Sequence, residues 1–148
     1  MVKPIGARPQ ASRYYVGDKV TELIFSSMER AAFFRAYIHL QPTVYLRPFW
    51  EELRLTYIYI RPLMVHGFQA EYDAKVAKLD ISVNNQIGKL YYQQQLGMQS
   101  RIPLELLREM DAFQQGIIER MHVAQFWIPY RETRGATALK KEFMGVGT

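Results

Sequence analysis

The chain has 148 residues, 49% of them hydrophobic, no Cys, and a formal charge of +5. That is enough for one domain with a core of its own, and it excludes a disulfide framework, a thiolate nucleophile and Cys-ligated zinc. Charge is unevenly placed: residues 1–17 hold three bases and no acid, residues 129–148 hold four bases and two acids, and the stretch between holds twelve of each, so all of the net charge belongs to the two ends.

Residues 1–17 combine Pro4, Pro9, Gly6 and Gly17 with Lys3, Arg8 and Arg13 and show no apolar periodicity. The composition predicts an extended basic arm that could reach at most about 55 Å. The first residues lack the continuous apolar stretch of a signal peptide, and no window is long and apolar enough to span a bilayer, so the expectation is a chain soluble until it meets its partner.

Asp18 is read as the N-cap of a first helix, whose apolar positions run from Val20 through Ile24, Met28 and Ala31 to Ile38 before Gln41-Pro42 stops it. A second helix is predicted over 43–60, with Pro48 and Glu51-Glu52 in its first turn and Phe49, Trp50, Leu53, Tyr57 and Ile60 buried. Pro62 ends or kinks it. Beyond lies the cleanest periodicity in the chain: Phe68, Tyr72, Val76, Leu79, Val83, Ile87 and Leu90 recur every three or four residues, which predicts a long amphipathic helix ending near Gly97. Continuous from Pro62, it would measure about 50 Å. A fourth helix opens at Ile102-Pro103, with Ser100 as its cap, and carries Leu107, Met110, Phe113, Ile117, Met121, Ala124 and Ile128 until Pro129. Short joints between four helices predict an all-α, antiparallel four-helix bundle over 18–128, followed by a basic tail over 129–148 in which no strand-like alternation stands out.

Few residues suggest chemistry. Glu119 and His122 have the i, i+3 spacing of half a di-iron ligand set, but His39 and His66 lack the acid that would complete it, so the pair reads more readily as surface residues at a helix end. Glu51-Glu52 complements a helix dipole better than it serves acid/base catalysis. No Gly-rich phosphate loop or nucleophile elbow is present, and no cofactor is called for. The sequence therefore reads as that of a non-enzymatic protein.

The cations are more suggestive. Arg47, Arg54 and Arg61 repeat every seven residues along one side of the second helix, with Tyr57 between the last two. Such a line could track a phosphate backbone, or it could be a solvated face paired with Glu51 and Glu52. With Lys3, Arg8 and Arg13 of the arm and Lys19 just beyond it, these residues form the candidate nucleic-acid-binding set. The arm could equally strap a neighbouring subunit.

The extended basic arm from Val2 to Gly17, the abrupt helical start at Asp18, four helices of which one is long, and the absence of Cys together resemble the coat proteins of filamentous or rod-shaped archaeal DNA viruses, the lipothrix-, tristroma- and rudivirus-like group. The resemblance implies a virion protein whose paired subunits, homo- or heterodimeric with a similar coat subunit, clamp double-stranded A-form DNA and stack into a helical filament. By position it assigns DNA contacts to Lys3, Arg8, Arg13 and the Arg47, Arg54, Arg61 line. An enclosing membrane envelope is compatible with it. Two other readings stand beside it: an accessory subunit of a large complex whose tails strap its neighbours, and a bundle metalloprotein built on Glu119 and His122.

Overall fold

A computed structural model describes residues 18–122, 140–144 and 146–147. Four helices account for most of it: α1 (Asp18–Tyr37), α2 (Pro42–Ile60), α3 (Phe68–Gln95) and α4 (Leu104–Glu119). They run alternately up and down. Ser27 of α1 meets Thr56 of α2, and Phe34 and Tyr37 meet Tyr45, which makes the first pair antiparallel. Arg61 meets Asp73, Arg54 meets Asp80 and Arg47 meets Asn84, which does the same for α2 and α3. The fold is all-α in its body, as the periodicities predict.

The predicted second-helix stripe is buried in full, and from the other helices and the turns that follow them Ile24, Ala31 and Ile38, Tyr72, Leu79, Val83, Ile87 and Leu90, and Leu107, Met110, Phe113, Ile117 and Met121 join it. Phe113 is the hub of this core: its ring lies 5.8 Å from those of Trp50 and Tyr57 and 6.0 Å from that of Tyr72, so α4 fastens α2 to α3 through one aromatic cluster. Gly116, one turn on, gives Tyr72 the space it needs, because a Cβ there would collide with the phenol oxygen. Between α1 and α2 the apolar contact is interrupted by a buried polar pair. Thr56 Oγ1 donates to Ser27 Oγ at 2.7 Å, and Ser27 Oγ donates to the Glu52 carbonyl at 2.8 Å, so both hydroxyls are satisfied.

Helix boundaries differ from the sequence reading in several places. α2 begins at Pro42, with proline at its first position where no hydrogen-bond donor is needed; Pro48 and Glu51-Glu52 therefore lie inside the helix and not in its first turn. Asp18 lies within α1 rather than standing outside it. α3 does not reach back to Pro62: residues Arg61–Leu63 form a 3-10 turn, Met64 is extended, and Gly67 takes φ 99° before the helix starts. Its 28 residues span about 42 Å rather than about 50. Ser100 does not cap α4. Its hydroxyl donates to the Leu90 carbonyl at the end of α3, 3.3 Å away, while Pro103 occupies the N-cap position.

α4 also stops early, at Glu119 instead of near Ile128, because the chain turns to pair Met121 with Met64 in an isolated antiparallel bridge. Val65 N donates to Arg120 O (2.8 Å) and His122 N to Leu63 O (2.9 Å), which satisfies the backbone groups that the break around Pro62 leaves open. Ala124 and Ile128, also read as stripe positions, lie outside the described residues. In the C-terminal stretch read as a tail without strands, β1 (Lys140–Met144) pairs antiparallel with β2 (Val146–Gly147), a ribbon too short to leave an alternation in the sequence.

Candidate assembly and nucleic-acid surfaces

Antiparallel order fixes which parts of the chain share an end. The C-terminus of α1, the N-terminus of α2, the C-terminus of α3 and the N-terminus of α4 all lie together, opposite the end where Met64 and Met121 pair. Twelve large apolar or aromatic side chains are exposed among the described residues, and nine of them are at this first end or within about two turns of it. Phe33, Tyr37, Leu40 and Val44 come from the α1–α2 corner; Tyr91, Tyr92, Leu96, Met98 and Leu104 come from the α3–α4 corner. Leu40 is 75% exposed. In the first group the rings of Phe33 and Tyr37 lie 4.9 Å apart in a tilted pair, and Tyr37 meets the half-buried Tyr45 at 5.7 Å, so the exposed aromatics are held in a continuous cluster.

The charge at this end is one-sided along two of its segments. Between residues 36 and 50, and again between 81 and 104, there is no acid, and the cations are Arg47, Lys89 and Arg101. α4 adds Glu105, Arg108 and Glu109. Arg47 is exposed, and its Nη1 donates to a neutral acceptor, Asn84 Oδ1, at 3.3 Å.

The other members of the predicted arginine line are differently placed. Arg61 forms a two-pronged pair with Asp73, Nε to Oδ1 at 2.9 Å and Nη2 to Oδ2 at 2.7 Å. Arg54 Nη1 lies 3.6 Å from Asp80 Oδ1, which also accepts from Trp50 Nε1 at 2.9 Å. Tyr57 is buried, with its hydroxyl donating to Asp73 Oδ1 at 2.7 Å, so its ring is not available to stack on a base. These three residues tie α2 to α3. The partners expected for the line, Glu51 and Glu52, are not the ones used: Glu52 receives Ser27 Oγ and Arg30 Nε from α1 (3.0 and 3.1 Å), and Glu51 is exposed.

The electrostatics of the tie follow from this geometry. The hydrogen bonds from Arg61 and then Tyr57 hold the Asp73 carboxyl at about 2, below the usual carboxylate range. Burial, reinforced by the Asp73 carboxylate, pushes the Tyr57 phenol up, and the same carboxylate holds the Arg61 guanidinium in its charged form.

Of the remaining candidates, Lys19 is exposed in the first turn of α1. Lys3, Arg8 and Arg13 lie outside the described residues. Glu119 and His122 do not share a helix face, because α4 ends at Glu119; Glu119 accepts from Gln115 at 2.9 Å. No three His, Cys, Asp or Glu among the described residues gather as a metal site, and no described helix is long and apolar enough to cross a membrane. Sequence reasoning overlooked Lys89 and Arg101. The signal was present in the 24 residues from 81 to 104, which contain no acid.

No protein family, curated protein or solved structure matches this chain.

Proposed function

We propose that the chain is a structural coat subunit of a virion, a helical bundle that assembles into a filament through apolar and Tyr-rich surfaces and covers double-stranded DNA without reading its sequence. The observation that carries this reading is the gathering of nine exposed apolar side chains at one end of a bundle whose core is already complete without them. Large exposed apolar patches mark interaction surfaces. Arg47, Lys89 and Arg101, contributed by acid-free segments at that end, add the charge a polyanion requires. The arm with Lys3, Arg8 and Arg13 supplies the rest, and Arg54 and Arg61 are assigned to holding α3. A second copy or a similar coat subunit completes the assembling pair, and the subunit performs no catalysis.

Backbone neutralisation predicts sequence-independent binding that weakens steeply with salt; six phosphate contacts would give a log-log slope of about −5. Titrating duplexes of unrelated sequence between 50 and 300 mM salt, roughly the range where counterion release dominates, checks it. A salt-insensitive affinity would overturn the DNA role.

The engagement of Arg54 and Arg61 by Asp80 and Asp73 favours a second reading, an accessory subunit whose tails strap neighbours and touch no nucleic acid. Removing residues 1–17 separates the two. Loss of DNA protection supports the coat reading, and loss of subunit association in a chain that still binds DNA supports the strap.

A further inference from the structure

The end of α3 stands clear of the bundle. Arg47 on α2 meets Asn84 on α3. From that level α3 continues eleven residues to Gln95, whereas α2 extends five, to Pro42, so α3 overhangs by about 9 Å. The chain then reverses at Gly97, whose φ of 75° lies in the left-handed region that favours glycine, and runs back along the same helix. Ser100 Oγ donates to the Leu90 carbonyl at 3.3 Å, and Gln86 Nε2 donates to the Arg101 carbonyl at 3.5 Å. Residues 96–99 therefore form an apex.

The apex is apolar on more than one side. Leu96 and Met98 are each 55% exposed and Tyr92 is 64% exposed, while Tyr91, about 100° around the helix from Tyr92, is exposed as well. The polar side chains exposed among them are the uncharged amides of Gln94, Gln95 and Gln99. Charge begins lower down. Lys89 sits six residues, about 9 Å, behind Gln95, and the backbone of Arg101 has returned to the reach of Gln86; both cations are exposed. The acids nearest in sequence, Asp80 and Glu105, belong to the middle of α3 and to α4 as it runs away from the apex.

We infer that the apex of α3 is a lipid anchor that sinks into the surface of a bilayer carrying anionic headgroups. The order of groups along α3 is the order of layers in such a surface: apolar side chains first, tyrosines where hydrocarbon meets headgroup, then cations at the level of the phosphates. The depths agree as well, because peripheral elements sink about 5–10 Å into that boundary, which leaves Lys89 among the headgroups. Shape and charge select this occupant over others. Side chains that point to several sides of a projecting helix end suit a medium that surrounds them, whereas a protein partner covers one side. Four apolar side chains on an apex also fall far short of the roughly 20–30 residues a side that a stable protein interface engages. A second copy meeting apex to apex would set Lys89 and Arg101 against their own counterparts. Duplex DNA would satisfy the cations but not the apolar side chains ahead of them. The inference goes beyond the coat reading: it leaves Phe33, Tyr37, Leu40, Val44 and Leu104 to neighbouring subunits and the basic arm to DNA.

The chain lacks Cys, so one introduced thiol takes one label. Full-length Met98→Cys carries an environment-sensitive fluorophore, and Ala77→Cys, exposed in the middle of α3, carries the same label as a control. Vesicles of equal parts phosphatidylglycerol and phosphatidylcholine should shift the emission at residue 98 to the blue and at least double it, with no change at residue 77. Vesicles of phosphatidylcholine alone should bind at least fivefold more weakly. Leu96→Asn combined with Met98→Asn leaves the charge unchanged and should weaken co-sedimentation with the anionic vesicles at least tenfold, with circular dichroism and duplex affinity retained. Vesicle binding that survives the double substitution would assign it to the basic arm and overturn the anchor, as would an unmoved spectrum at residue 98; either result in protein whose duplex affinity falls with salt would leave the coat reading standing. Loss of duplex affinity together with vesicle binding in the double variant would make the apex a DNA contact and overturn the anchor too. Immersion of residue 98 in protein whose duplex affinity ignores salt would sustain the anchor and overturn the DNA role.

Discussion

α2 and α3 are adjacent and antiparallel, yet the bundle uses them differently. α2 buries eight of its 19 residues and touches each of the other three helices, while α3 buries six of 28 and lies at the edge. α3 nevertheless has the more regular pattern, because a helix packed on one side alone needs one stripe and can leave the rest polar. A helix surrounded by neighbours buries residues on several sides, and its periodicity blurs. Regularity of pattern therefore reports how one-sided the packing is, not how much of the helix is buried. What holds α3 in place is narrow: the core stripe, the aromatic cluster at Phe113, and the row of polar ties from α2.

The sharpest way to break the contrast is to remove the hub. Phe113→Ala should cost about 3–5 kcal/mol, since the buried ring packs against Trp50, Tyr57 and Tyr72 at the junction of three helices. Denaturant unfolding measures the loss. Because the cluster joins α3 to the bundle, hydrogen exchange should accelerate more in α3 than in the α1–α2 hairpin. Uniform acceleration would mean that α3 is no more weakly held than α2.

A smaller effect is expected one turn away. Gly116→Ala places a methyl where the Tyr72 hydroxyl lies and should cost about 1–3 kcal/mol by overpacking. Adding Tyr72→Phe removes the colliding oxygen and should restore at least half of that loss, a coupling that a double-mutant cycle reads directly. If the two costs simply add, the contact is not what requires glycine at this position.

The stripes of all four helices were legible because burial imposes its period on each segment locally. The ends of those helices were not, since they are set by contacts distant in sequence. Met64 and Met121 are 57 residues apart, and their bridge is what stops α4 at Glu119. Ser100 has the chemistry of a cap, but its hydroxyl is used by Leu90 on the preceding helix. The arginine line shows the same limit for the candidate site. Its seven-residue spacing was visible, but its partners sit on α3 and follow from the register between two helices, which spacing within one helix does not contain. Tyr57 was correctly placed on the core stripe and, for that reason, is unsuited to stacking on a ligand. The apolar end was legible only in parts. Its members come from two corners of the chain that nothing in the sequence brings together until the up-and-down order is known.

The smallest effect concerns the polar tie itself, and pH isolates it. Asp73 is held at about 2 in the fold, against roughly 3.9 in an unfolded chain. A carboxylate whose pKa is depressed by folding stabilises the fold above its unfolded value, and that contribution is lost as pH falls toward the folded one. Wild type and Asp73→Asn should therefore differ in unfolding free energy by a constant amount near neutrality. The difference should shrink below about pH 4 and vanish only below pH 2, because the carboxyl is still half ionised at its folded pKa. Both side chains of the Arg61–Asp73 pair are 45% exposed, so solvent screens the interaction, and about 1 M salt should shrink the neutral-pH difference as well. Arg61→Gln should follow the same acid profile, since it removes the largest cause of the depression. A difference that persists unchanged from pH 7 to pH 2 would assign the effect of Asp73→Asn to altered packing. In that case the row of ties would not be what aligns α3 against α2.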